Sequence, residues 1–106
     1  MHPNKANFVQ GLHLIFARWD TFQMAVKNEW GGHQSGEKAA WLLQTLVEHF
    51  DERGRKVDAD ELEDILLQVM ANEFNAMLED GSERIVAVQI LRLFEQSVRG
   101  ETTFLE

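Results

Sequence analysis

The chain has 106 residues, enough for one domain with its own core. Apolar residues make up 44% and charged residues 26%, which excludes a disordered chain, and the absence of cysteine excludes disulfides, thiolate zinc sites and cysteine nucleophiles together. Eighteen acids against ten bases leave a net charge of −8, which argues against direct nucleic-acid binding and favours a basic protein partner.

The apolar run Leu12–Ala17, interrupted by His13, is too short for a membrane span or a signal-peptide core. There is no Asn-x-Ser/Thr acceptor, which fits an intracellular protein. With a single proline, Pro3, and no strand-like alternation, the periodicity predicts an all-α fold: a compact single-domain bundle of about four main helices over residues 1–106. Residues 1–4 and 101–106 are expected to fray.

The first predicted helix runs from Lys5 to Asn28, with an apolar stripe of Phe8, Leu12, Ile15, Phe16, Trp19, Phe22, Val26 and Trp30 at steps of three and four. Gly11 weakens it by roughly 1 kcal/mol relative to alanine. Gly31-Gly32 ends it, because glycine readily takes the left-handed C′ conformation. The second runs from Ser35, read as the N-cap, to Glu52, and buries Ala39, Leu43, Leu46, Val47 and Phe50. Gly54 closes it, with Arg53, Arg55 and Lys56 near its negative end.

The third begins at Asp58, where Glu61 three residues on makes a capping-box start, and runs to Asp80 through Leu62, Ile65, Leu66, Val69, Met70, Phe74 and Met77. Gly81 closes it. Ser82 is read as the N-cap of the fourth, Glu83–Arg99, which buries Val86, Ala87, Ile90, Leu91, Leu93, Phe94 and Val98. Short connections make neighbouring helices antiparallel or nearly so.

The charge is unevenly placed. Twelve acids and three bases fall between Glu48 and Glu83, so that segment carries −9 while the rest of the chain carries +1. From Asp58 to Glu83 there are nine acids and no base. Asp60, Glu61 and Asp64 fall within about one turn, off the apolar stripe, and Glu63 flanks it. The first-turn acids gain from the helix dipole, and beyond that turn unpaired like charges repel. A merely solvated face usually mixes signs, so the partner-binding candidates are Asp58, Asp60, Glu61, Glu63 and Asp64, followed by Glu79 and Asp80.

Two residues sit against the pattern. Glu73 falls within the apolar stripe, where a carboxylate must snorkel, pair with a base such as Arg84 or Arg92, or accept backbone hydrogen bonds; a structural pairing role is expected over a functional carboxylate. Trp41 falls on the side away from its helix's stripe, where it either covers the first helix or anchors a partner.

Catalytic chemistry is poorly supported. His2, His13, His33 and His49 have no metal-site spacing, so no metal or cofactor is expected. Asp58-Ala59-Asp60-Glu61 opens like a calcium loop but has Glu63 at position six and Val69 at position twelve. Gly31-Gly32 lacks the Lys-Ser/Thr of a phosphate loop, and nothing encloses Asp60 and Asp64 for acid–base work. The expectation is a protein that is not an enzyme.

The run Asn28-Glu29-Trp30-Gly31-Gly32, followed by Ser35-Gly36-Glu37-Lys38-Ala39 and Trp41-Leu42, resembles the WGG-motif family of pre-ribosomal-RNA-processing proteins. So do Asp60-Glu61-Leu62-Glu63-Asp64-Ile65-Leu66 and Asn72-Glu73-Phe74-Asn75 leading to Glu79-Asp80-Gly81-Ser82. The blocks fall in the family's order and with their linking helices span nearly all of the chain. The resemblance implies a ribosome-biogenesis factor without catalysis. Such a protein is an escort chaperone for one basic small-subunit ribosomal protein, the eukaryotic protein numbered twenty-six, which it releases from its import receptor, shields and delivers to the pre-ribosome. It also implies a monomer in a one-to-one complex, present in nucleus and cytoplasm, with no direct nucleic-acid or membrane binding. Family members usually carry a long acidic C-terminal tail, and this chain stops at Glu106 without one.

Trp30, Gly31, Gly32, Glu73 and Phe74 are read as structural motif residues, the tryptophan at the core edge and the glycines permitting the turn. The charge signature alone equally suits a general acidic interaction module of the histone-chaperone or nucleic-acid-mimic type.

Overall fold

The computed structural model describes residues 5–100, so the expected fraying at 1–4 and 101–106 lies outside the described residues. Five α-helices follow one another: α1 (Lys5–Ala17), α2 (Asp20–Lys27), α3 (Ser35–Arg53), α4 (Ala59–Glu73) and α5 (Ser82–Val98), with a 3-10 turn over Gly54–Lys56. No strand occurs among the described residues, as the periodicity predicts.

The single long first helix is corrected to two. The stripe continues across Arg18-Trp19 without a change of phase, but Trp19 takes an extended conformation, φ −86° and ψ 97°. Its indole is buried, and Nε1–H donates to Ser82 Oγ at 2.9 Å, tying the break to the start of α5. Gln23 Nε2 donates to the Phe16 carbonyl at 2.9 Å, which also accepts from the Trp19 N–H at 3.2 Å, so both bonds gather at the break. Hydrophobic period reports which side chains go inward, and the core is served equally by a straight or a broken helix here.

The third predicted helix is also shorter than read. It ends at Glu73, and Asn75 takes the left-handed conformation at φ +54°. Asparagine tolerates that region better than most residues. The following Ala76 is buried, and its N–H bonds back to the Met70 carbonyl at 2.9 Å. Met77, placed in the core by periodicity, is instead 84% exposed.

α5 packs against both α1 and α4. Gly11 on α1 faces it, and a Cβ there would lie 2.4 Å from Leu93 Cδ1, so the glycine that weakens α1 lets Leu93 sit against its backbone. Phe8, Phe50 and Phe94 meet edge-on or tilted, with ring centroids 4.7–5.8 Å apart. A second cluster joins Phe16, Trp19 and Phe22 to Phe74 at the end of α4. These rings are buried, so each contributes area burial and contact geometry together.

The two serines read as N-caps are the first residues of their helices, and neither caps. Ser35 Oγ accepts from the Gly31 N–H at 3.1 Å and donates to the Gly32 carbonyl at 2.8 Å. Ser82 Oγ donates to Asp80 at 2.7 Å while accepting from Trp19. Asp58 does cap α4: its carboxylate accepts from the Glu61 N–H at 2.8 Å.

Candidate functional site

The Trp-Gly-Gly turn is where three parts of the chain lock together. α2 ends with Glu29 in the left-handed conformation, φ +53°, and the Trp30 N–H reaches back to the Ala25 carbonyl at 3.0 Å. That is the six-to-one bond of a Schellman cap, with a glutamate where glycine is usual. The left-handed C′ role assigned to the glycines therefore belongs to Glu29. Gly32, at φ +86°, turns the chain toward α3. Gly31 serves close approach: a Cβ on it would stand 2.3 Å from the Glu73 carbonyl oxygen, a distance no side chain survives.

Lys38 closes this junction. Its ammonium donates to the Gly31 carbonyl at 2.9 Å and the Glu73 carbonyl at 3.1 Å, and its Nζ lies 3.7 Å from the Glu73 carboxylate. Glu73 does face a base, as expected, but the partner is corrected: it is Lys38 from α3 and not Arg84 or Arg92, and the carboxylate is partly exposed. Asn75 Nδ2 adds a bond to the Trp30 carbonyl at 2.8 Å. Phe74, fully buried against Phe22, anchors the same corner. Trp30 itself is 38% exposed, so its backbone is fixed while its ring is half open to solvent.

The acids at the start of α4 are less free than a count along the chain suggests. Arg84, the first base after the acidic stretch, donates to Asp60 at 2.7 Å and to Glu63 at 3.2 Å. Those two bonds, Asp60 first, hold its guanidinium pKa above the ordinary arginine value. Glu61 pairs with Arg53 and with His49. Asp58 is spent on the cap. Of the five, Asp58 and Asp64 are exposed and make no ion pair among the described residues, and of these two Asp58 is engaged by the Glu61 N–H. The reading of these carboxylates as unpaired like charges is therefore corrected: bases from α3 and α5 fold over them. Exposed pairs of this kind are weak, because water screens them, so a partner's arginines can exchange into them.

Glu79 and Asp80 sit differently. Neither makes an ion pair among the described residues. Asp80 accepts from the Ser82 N–H at 3.0 Å, from its hydroxyl, and from Thr21 Oγ1 at 3.2 Å. The Ser82 backbone bond, then the hydroxyl bond, hold its pKa below the ordinary carboxylate value. Beside these acids a shallow apolar cleft is lined by Thr21, Trp30, Asn75, Ala76, Met77 and Leu78. It runs on into a second depression formed by Thr21, Met77, Leu78, Glu79 and Asp80. Periodicity assigns Met77 to the core, and the signal against it is Asn75, a left-handed former four residues before the acid pair Glu79-Asp80.

Trp41 is 49% exposed and lines a separate cleft with Gln34, Glu37, Lys38 and Glu73. No group of three or more His, Asp or Glu side chains arranged for a metal occurs among the described residues. No described helix is long and apolar enough to cross a membrane.

The family model described as WGG, pre-rRNA-processing protein TSR2, matches residues 8–88. The chain is 36% identical over 97 residues to the pre-rRNA-processing protein TSR2 homolog of Homo sapiens, covering 92% of this chain and 50% of that protein. It is 35% identical over 103 residues to the homolog of Bos taurus (97% of this chain, 54% of that protein) and 34% identical over 90 residues to TSR2 of Saccharomyces cerevisiae (85% and 43%). The chain thus spans about half the length of the curated relatives it matches. No solved structure matches it. With its Trp30-Gly31-Gly32 turn built into the junction of α2, α3 and α4, and the match extending over α1 to α5, the chain belongs to the WGG family of pre-rRNA-processing proteins.

Proposed function

We propose that this chain is a ribosome-biogenesis factor that supports pre-rRNA processing by escorting one basic small-subunit ribosomal protein, the eukaryotic protein numbered twenty-six. It acts by binding, not catalysis, and works in nucleus and cytoplasm. The observation that carries this reading is family membership joined to charge: relatives are named for pre-rRNA processing, and the chain's entire net charge of −8 lies in one third of its length.

Ribosomal proteins are basic because they neutralise RNA phosphate, and away from RNA the same side chains bind polyanions indiscriminately. A folded surface carrying carboxylates at α4 and beyond it competes for those side chains, steers fast encounter, and displaces an acidic import receptor from the same charges. Asp58, Asp60, Glu61, Glu63, Asp64, Glu79 and Asp80 supply the negative field, and Trp41 an apolar anchor.

Titration calorimetry of the purified chain with that purified ribosomal protein tests the reading. One-to-one binding whose affinity falls steeply with salt, and which core histones do not reproduce, supports it. Equal affinity for histones would move the chain to the general acidic modules. Failure to bind the ribosomal protein at all would overturn the escort role.

A further inference from the structure

We infer that the apolar cleft between Trp30 and Met77, rimmed by Glu79 and Asp80, is the docking site for an apolar residue flanked by lysines or arginines on the basic protein partner. The partner's identity as a basic protein rests on the escort reading; the place and the mixed apolar–basic chemistry rest on the cleft itself.

Met77 is the most exposed large apolar side chain among the described residues, at 84%. It is not exposed for want of structure. Its segment is pinned before it by Asn75 Nδ2 on the Trp30 carbonyl and by the Ala76 N–H on the Met70 carbonyl, and after it by Asp80 on Ser82 and Thr21. A backbone fixed at both ends holds a thioether out in water, next to a half-open indole. Met24, one turn along α2 from Thr21 and 52% exposed, extends the same apolar surface. A methionine side chain adapts to irregular partners, and a fixed backbone lowers the ordering cost of docking.

The charge around the cleft selects the occupant. Glu79, Asp80 and Asp20, the neighbour of Thr21, make no ion pair among the described residues, and no base lines either depression. Asp60, Glu61 and Glu63 at the start of α4 already hold Arg84, Arg53 and His49. An incoming lysine or arginine therefore meets uncompensated charge here and must displace an internal base there. A second copy of this chain would bring its own −8 to the same spot, so like-charge repulsion disfavours self-association through it. An acidic or purely apolar segment would leave Glu79 and Asp80 facing no cation.

The experiment is calorimetry of the full chain with the purified ribosomal protein named above, at low and at high salt. Met77→Asp should lower affinity about tenfold or more at both, because the lost contact is apolar and the new charge stands in the cleft. Glu79→Lys should lower it at low salt and recover at high salt, as a screened charge does. Asp60→Lys, an equal change of charge at a carboxylate that already holds Arg84, should cost less than either. All three side chains are exposed, so unchanged melting temperatures separate binding from folding. Full affinity in Met77→Asp, with the unmodified chain binding one-to-one, would overturn the docking site and leave the escort role standing. No binding by the unmodified chain would overturn both.

Discussion

The first turns of α4 and the segment after its last turn carry the same sign of charge and meet it in opposite ways. At the start, three of five carboxylates hold bases from α3 and α5, and a fourth caps the helix. At the end, Asp80 is answered only by neutral hydrogen bonds and Glu79 is exposed with no ion pair among the described residues, beside exposed apolar surface. A run of acids in sequence therefore does not mark a free acidic face. What matters is which bases the fold brings over it, and α5 enters with Arg84 facing one end of α4 and Ser82 facing the break between α1 and α2.

The largest effect expected from breaking this arrangement is at Gly31. Gly31→Ala pushes a methyl group into the Glu73 carbonyl and should destabilise the protein by about 1–3 kcal/mol in urea unfolding, with amide shifts moving through Asn75–Asp80 and not through Asp58–Asp64. Gly36→Ala, with open space around its Cβ, is the control and should be neutral or stabilising by up to about 1 kcal/mol. Perturbation spread evenly over both ends of α4 would show that the two regions are one.

Arg84→Ala sharpens the contrast from the other side. It frees Asp60 and Glu63, so affinity for the basic partner should rise a few-fold at low salt while the melting temperature stays nearly unchanged. A loss of affinity would show that Arg84 organises the face instead of masking it.

The smallest effect is in acid. The folded-state pKa of Asp80 is lowered, first by the Ser82 N–H, so its contribution to stability is present above the unfolded carboxylate pKa and is lost as pH falls through the folded value. Asp80→Asn removes that titration. Urea midpoints of the two chains should differ most near neutral pH and converge below the ordinary carboxylate range.

Much of the scaffold was legible in the residues. Steps of three and four located the buried faces of α1, α3 and α5, and Asp58 with Glu61 fixed the start of α4. The Asp58 half of the capping box forms, whereas the Glu61 carboxylate, which would return the bond, goes to Arg53 and His49. The break at Trp19 was hidden because apolar phase runs straight through it, and the indole's partner, Ser82, lies 63 residues away. The end of α4 was hidden for the same reason: Phe74 and Met77 keep the helical spacing, and only the left-handed backbone at Asn75 sends the second of them outward. The pairing of Glu73 with Lys38 was out of reach because Gly31, by approaching the last turn of α4, decides which helix supplies the base.

That same geometry divides the three tryptophans into separate optical environments. Trp19 is sealed in the core with its N–H engaged, while Trp30 and Trp41 look into different clefts on the surface. In intrinsic fluorescence, Trp19 emits to the blue and follows the integrity of the fold. Trp30 is placed to change colour when something apolar settles on Met77, and Trp41 when the partner reaches its own, separate cleft. The chain therefore carries one label at each of two clefts, and a third signal in the core that tells a docking event from an unfolding one.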